Sequence, residues 1–184
     1  AKLLARMIEF SKEWIVGSPL DPATKVGPLI EESHMTKVLE YIESGKQEGA
    51  ELVLGGQRTL LKTGGYFVET TIFDRVQPAM KIAREEIFGP VLSVLAFNTE
   101  EEAIALANDT QYGLTASLYS ENLGRANRVA RAIRAGTVSV NCFSEGDATT
   151  PFGGYKQSGF FGRDKSIFAH YQYCELKTIW MQLT

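Results

Sequence analysis

The segment from Gly113 to Asn141 most constrains what this chain can fold into. It reads as a strand at 115–119, a helix at 121–135 and a second strand at 137–141, with Gly113 and Gly136 where helices give way to strands. Two strands joined through a helix in so short a span run parallel, because only a crossover of that kind returns the chain to the same end of a sheet. The glycines stand where a left-handed helix cap is expected. The chain is therefore expected to be an α/β protein, with a mostly parallel sheet covered by helices.

The flanks fit that expectation. Leu3, Leu4, Met7, Ile8, Ser11, Trp14 and Ile15 fall on one face at helical spacing. No capping residue precedes that helix, so the chain reads as part of a longer polypeptide. A second helix is expected from about Ser33, as N-cap, to Gly49, burying Met35, Val38, Leu39 and Ile42. Strands are expected at 51–54, 66–73 and 91–95, and Asn98-Thr99 caps a helix whose first turn holds Glu100, Glu101 and Glu102. Near the end, 163–171 reads as a helix. Residues 175–182 alternate as a strand with apolar side chains on both faces and no obvious partner.

Composition removes several classes of function. A net charge of −3 over 184 residues gives no electrostatic reason to bind nucleic acid or an anionic membrane. No apolar run approaches the roughly 18 residues of a membrane-spanning helix. Cys142 and Cys174 are too few for a disulfide framework, which points to a reducing, cytoplasmic setting. With His34 and His170 they form no metal-ligand spacing, so no metal is expected.

Cys142 follows a strand, where sites gather in α/β sheets, but nothing local supplies a base to form its thiolate. A small apolar residue at a half-buried strand end is the favoured explanation, and a hydrolase using Cys142 with His170 is a weaker third reading. Arg125, Arg128, Arg131 and Arg134 recur every third residue, drift around the helix, and read as a solvated face. The glycines of Pro151-Phe152-Gly153-Gly154-Tyr155-Lys156-Gln157-Ser158-Gly159 match no phosphate-loop pattern and suit a loop folded tightly over a pocket mouth. Glu85-Glu86-Ile87-Phe88-Gly89-Pro90 places two acids beside an aromatic and a Gly-Pro turn, a combination suited to holding a flat, polar ligand.

Those two motifs, with Asn108-Asp109-Thr110-Gln111-Tyr112-Gly113-Leu114 and Gly136-Thr137-Val138-Ser139-Val140-Asn141, resemble the aldehyde dehydrogenase superfamily, in family order along essentially the whole chain. The run from Gly146-Asp147 to Ser166, and 175–180, most resemble bacterial γ-glutamyl-aminobutyraldehyde dehydrogenase-like enzymes. The resemblance implies NAD or NADP as cofactor and oxidation of an aldehyde to a carboxylic acid through a cysteine thioester. It implies that Glu86 accepts hydroxyls of the nicotinamide-side ribose, that Phe88 packs beside it, and that Lys37 and His34 approach the same ribose. Phe152 would line the substrate tunnel, with Ser144, Glu145 and Gly146 in the segment that varies with substrate. Two acids and a glycine there favour a longer, polar or cationic aldehyde, an amino- or amido-aldehyde.

The resemblance also implies what lies elsewhere. The nucleophilic cysteine, the water-activating glutamate and most of the dinucleotide-binding domain fall upstream, so neither Cys142 nor Cys174 is the nucleophile and the fragment alone is expected to be inactive. Residues 1–171 correspond to the C-terminal part of the catalytic domain, and 172–184 to a strand that joins a neighbouring subunit's sheet, giving a homo-oligomer, dimer or tetramer. The alternative from another class is a non-catalytic dimerisation or binding module that keeps the fold.

Overall fold

Apolar side chains at every third or fourth position make the second helix the anchor of the first half of the chain. The structure is a computed structural model and describes residues 2–143 and 146–183. The chain divides into two units, residues 1–96 and 97–184.

In the first unit, α1 (Lys2–Ser11) precedes α2 (Glu32–Gln47). Helix α2 starts one residue after Glu31, in extended conformation and with no side-chain cap, so Ser33 lies inside the helix and is not its N-cap. Met35, Val38, Tyr41 and Ile42 are buried, and Leu39 packs against their cluster. Against this face lies a three-stranded sheet of β1 (Glu51–Leu54), β4 (Thr71–Asp74) and β5 (Val91–Ser93), in the order β1-β4-β5. Phe73 is wholly buried at its centre, with Ile82 of the short helix α3 (Lys81–Arg84) and Ile87 in the same cluster. A ribbon of β2 (Arg58–Thr59) and β3 (Phe67–Val68) connects β1 to β4.

The sheet is less parallel than the alternation implies. Strands β4 and β5 are parallel, Thr71 opposite Val91, but β1 and β4 are antiparallel, Glu51 opposite Asp74. The cause is local: β1 reaches β4 through a ribbon, without a helical crossover, and such a connection returns the chain in the opposite sense. The single strand expected at 66–73 is split into β3 and β4 for the same reason.

The second unit carries the strand–helix–strand signal. Strands β6 (Thr115–Leu118) and β7 (Thr137–Val140) are parallel, Thr115 opposite Thr137, joined through α5 (Leu123–Ala132), with α4 (Glu100–Asn108) before them. Thr99 caps α4, its Oγ1 accepting from the Glu102 amide, and Asn122 caps α5, its Oδ1 accepting from the Arg125 amide at 2.8 Å. Helix α5 ends earlier than expected because Asn108 takes over its last groups. Its Nδ2 donates to the Ala132 carbonyl (2.9 Å) and its Oδ1 accepts from the Arg134 amide (2.7 Å).

Gly113 and Gly136 are not left-handed caps, since neither has positive φ. They are glycines because backbone crowds them. A Cβ on Gly113 would stand 2.6 Å from the Arg134 carbonyl oxygen, and one on Gly136 would land on the Gly153 carbonyl.

The helix expected over 163–171 is reduced to α6 (Phe168–Tyr171). Lys165 and Ser166 both have positive φ, which interrupts a right-handed helix before it starts. Residues 174–183 form no strand: an extended segment enters a ladder only when a neighbour supplies the hydrogen bonds.

Candidate functional site

Helix α2 shapes the site through one of its own faces. His34, Val38 and Tyr41 follow one another at helical spacing, and each engages the segment 85–89. Tyr41 Oη donates to Glu85 Oε2 at 2.7 Å. Gly89 lies so close to Val38 that a Cβ there would stand 2.7 Å from a valine methyl. His34 Nε2 lies 2.8 Å from the Phe88 carbonyl oxygen. A carbonyl only accepts, so the imidazole carries its proton on Nε2 in this contact.

Between these fixed points Ile87 is buried and its two neighbours turn outward. The Glu86 carboxylate is exposed and has no hydrogen-bond or ionic partner among the described residues. Phe88 adopts the left-handed conformation, φ 60°, and the residue is 74% exposed. An aromatic side chain in that backbone region, aimed away from the core, is neither a packing residue nor an ordinary turn residue. Lys37 lies on the exposed side of α2 with Nζ 5.9 Å from the centre of the Tyr41 ring; Lys81 Nζ lies 4.7 Å from the same centre. The structure thus brings Glu86, Phe88, His34 and Lys37 onto one part of the first unit. Of the motif's two acids, Glu85 is taken up by Tyr41, which was not singled out from sequence. The only signal for Tyr41 is its helical spacing from His34.

The donor set suits a nicotinamide ribose. An unpartnered carboxylate can take two hydroxyl donors at once, a lysine can balance it, and an open aromatic face can cover a flat heterocycle.

The other named residues belong to the second unit. Phe152 is half-buried, paired in both directions with Asp164 through backbone bonds of 2.8 and 2.7 Å, and Lys165 Nζ stands 5.1 Å over its ring. Gly146 has φ 75°, and a Cβ there would collide with the Thr150 hydroxyl. Ser144 and Glu145 lie outside the described residues. Asp147 closes the loop on Thr149, accepting from its hydroxyl at 2.6 Å and its amide at 2.7 Å. These bonds, the hydroxyl first, with the Lys165 cation nearby, hold the Asp147 carboxyl below the ordinary carboxylate range.

The segment 151–159 is close-packed, as its glycines imply. Lys156, itself at φ 53°, donates from Nζ to the carbonyls of Asn108 and Thr110 at 2.8 Å each, at the C-terminal end of α4. Cys142 is exposed and has no hydrogen-bond partner among the described residues, His170 included. Arg125 and Arg128 are not simply a solvated face: both reach Glu100, Arg128 through Nε and Nη2 at 3.0 Å each. Among the described residues no cluster of three or more acids, histidines or cysteines is placed to hold a metal.

Fold and site together define an α/β protein with a carboxylate–aromatic surface built on helix α2. The chain belongs to the Aldehyde dehydrogenase family, whose sequence profile matches residues 1–179. It is 53% identical over 179 residues to an aminoacetaldehyde dehydrogenase of Pseudomonas aeruginosa, covering 97% of this chain and 35% of that protein. It is 47% identical over 182 residues to the NADP/NAD-dependent aldehyde dehydrogenase PuuC of Escherichia coli, covering 99% and 36%. Among solved structures it is similar to an indole-3-acetaldehyde dehydrogenase in complex with NAD+, with a TM-score of 0.95 and 55% identity, covering 99% of this chain and 37% of the other. The chain therefore spans about a third of the length of these relatives.

Proposed function

We propose that this chain is the C-terminal segment of the catalytic domain of an NAD(P)-dependent aldehyde dehydrogenase, which oxidises an aldehyde to a carboxylic acid through a cysteine thioester. The observation that carries this reading is Glu86 and Phe88 held outward on a prepared surface, in a chain 53% identical to an aminoacetaldehyde dehydrogenase. The nicotinamide, when bound, accepts the hydride. This chain binds and orients it: Glu86 accepts the ribose hydroxyls, Phe88 covers the ring edge, and Lys37 and His34 stand beside them. A fixed ribose fixes the distance over which hydride moves.

The thioester-forming cysteine and the general-base glutamate lie outside these residues. The purified fragment therefore reduces no NAD+ or NADP+ with any aldehyde, and turnover that disappears in C142A would overturn this. In the complete enzyme, E86Q removes a charged acceptor and weakens NAD+ binding by about tenfold, read by calorimetry. Unchanged affinity would sink the cofactor assignment.

The substrate is an amino- or amido-aldehyde. Support comes from the acids and glycine of the 145–147 stretch, the aminoacetaldehyde dehydrogenase relative and the likeness to PuuC. A screen in which hexanal is turned over faster than amino-aldehydes would refute it. Residues 172–184 join a neighbouring subunit as a strand, making a homo-oligomer, supported by their exposed alternating apolar side chains. The enzyme works in the cytoplasm, a reading supported by two free, exposed cysteines.

A further inference from the structure

We propose that His34 is a positioning residue, acting on the cofactor-facing surface through the backbone of Phe88. The inference rests on the reading of Glu86 and Phe88 as cofactor contacts and says how their geometry is maintained.

Phe88 occupies a backbone region that side-chain-bearing residues rarely adopt, so something must compensate for it. No glycine or asparagine eases the position. Three contacts from one face of α2 do. Tyr41 holds Glu85 at one end, Val38 fixes Gly89 at the other, and the His34 imidazole holds the Phe88 carbonyl itself, across 54 residues of sequence. The peptide that carries this carbonyl also carries the Gly89 amide, so its plane sets how Phe88 is turned. The rings of His34 and Phe88 stand 6.5 Å apart and tilted by 53°, a tilted pair near the outer limit of ring contact. The 2.8 Å hydrogen bond is the closer of the two contacts and the one that fixes the backbone. Without it the 87–88 backbone relaxes toward an ordinary φ, which redirects the Phe88 ring and the adjacent Glu86 carboxylate.

The test compares H34A and H34Q with the parent in the complete enzyme, reading two quantities: amide hydrogen exchange over 86–91 and NAD+ affinity by calorimetry. Glutamine offers an amide donor at similar reach. H34A is expected to speed exchange in 86–91 and weaken NAD+ binding, each by about five- to tenfold, as for one lost hydrogen bond, and H34Q to restore both. If H34A weakens NAD+ binding while exchange stays at the parent rate, His34 touches the cofactor directly and the proposal fails. If exchange rises but affinity does not move, while E86Q still loses affinity, the clasp has no bearing on the cofactor and the proposal also fails. If neither H34A nor E86Q changes affinity, the cofactor reading itself falls, and the proposal with it.

Discussion

At residue scale, Gly136 has no room for a side chain, because the Gly153 carbonyl fills the place a Cβ would take. G136A forces a backbone shift and should destabilise the second unit by roughly 1–3 kcal/mol, the usual cost of overpacking. Gly27 is the control: it lacks positive φ and a Cβ there meets nothing within 4 Å. G27A should be neutral or stabilising by about 0.4–1 kcal/mol, through the unfolded chain. Urea midpoints check both, and equal midpoints for the two variants would contradict the packing account. Sequence announced that Gly113 and Gly136 matter but misassigned the cause, because a crowded glycine and a left-handed one look alike in one dimension. The motif of Glu86 and Phe88 stood out in sequence, and the structure turns both side chains outward. Tyr41 did not stand out, because a tyrosine on the buried face of a helix is expected for packing alone, and its bond to Glu85 crosses 44 positions that no local pattern spans.

At the scale of elements, α4 and α5 are tied by Glu100 with Arg125 and Arg128. The Arg128 guanidinium, bonded to Glu100 and helped by Arg125, holds the Glu100 carboxyl below its ordinary value of 4.5. A carboxyl depressed by folding stabilises the fold above its unfolded value, and that contribution is lost as pH falls through the lower, folded one. The parent should therefore lose part of the α4–α5 tie as pH drops below about 4.5, whereas E100Q, which lacks it at every pH, should show a flatter acid limb. Chemical denaturation at stepped pH reads the difference; parallel limbs would refute it. Added salt should weaken the tie, because the pair faces solvent. The helices were legible from apolar spacing and from the Thr99 cap. The arginine series was not read as a tie because its partner lies on another helix, at a separation of 28 residues. The long helix expected at 163–171 failed for a local reason, the positive φ at Lys165 and Ser166.

For the whole molecule, the open question of sequence was the tail. Leu176 is 99% and Trp180 91% exposed, in a stretch that forms no strand. A cluster of exposed apolar side chains of that size marks an interaction surface, which the proposed subunit strand would supply with a partner. Truncation after Gln172, or W180E, should therefore lower the oligomeric state of the complete enzyme, measured by sedimentation at micromolar concentration. An unchanged sedimentation coefficient in both variants would remove the tail from the interface. The alternating pattern was readable, but a strand is a relation between two segments, and sequence supplies only one of them. The α/β class was readable because parallel β6 and β7 are joined through α5 within a single run of chain. The antiparallel β1 was not, since its orientation depends on a ribbon of two-residue strands too short to signal itself.

The alignment of His34, Val38 and Tyr41 on one side of α2 also limits how the gene can vary. Each residue added to a helix turns the rest of that helix by about 100°. A one-codon insertion between His34 and Val38 would swing Val38 and Tyr41 off the 85–89 segment together, while leaving every side chain chemically intact. Substitution can therefore be tolerated along this helix in a way that a change of its length cannot.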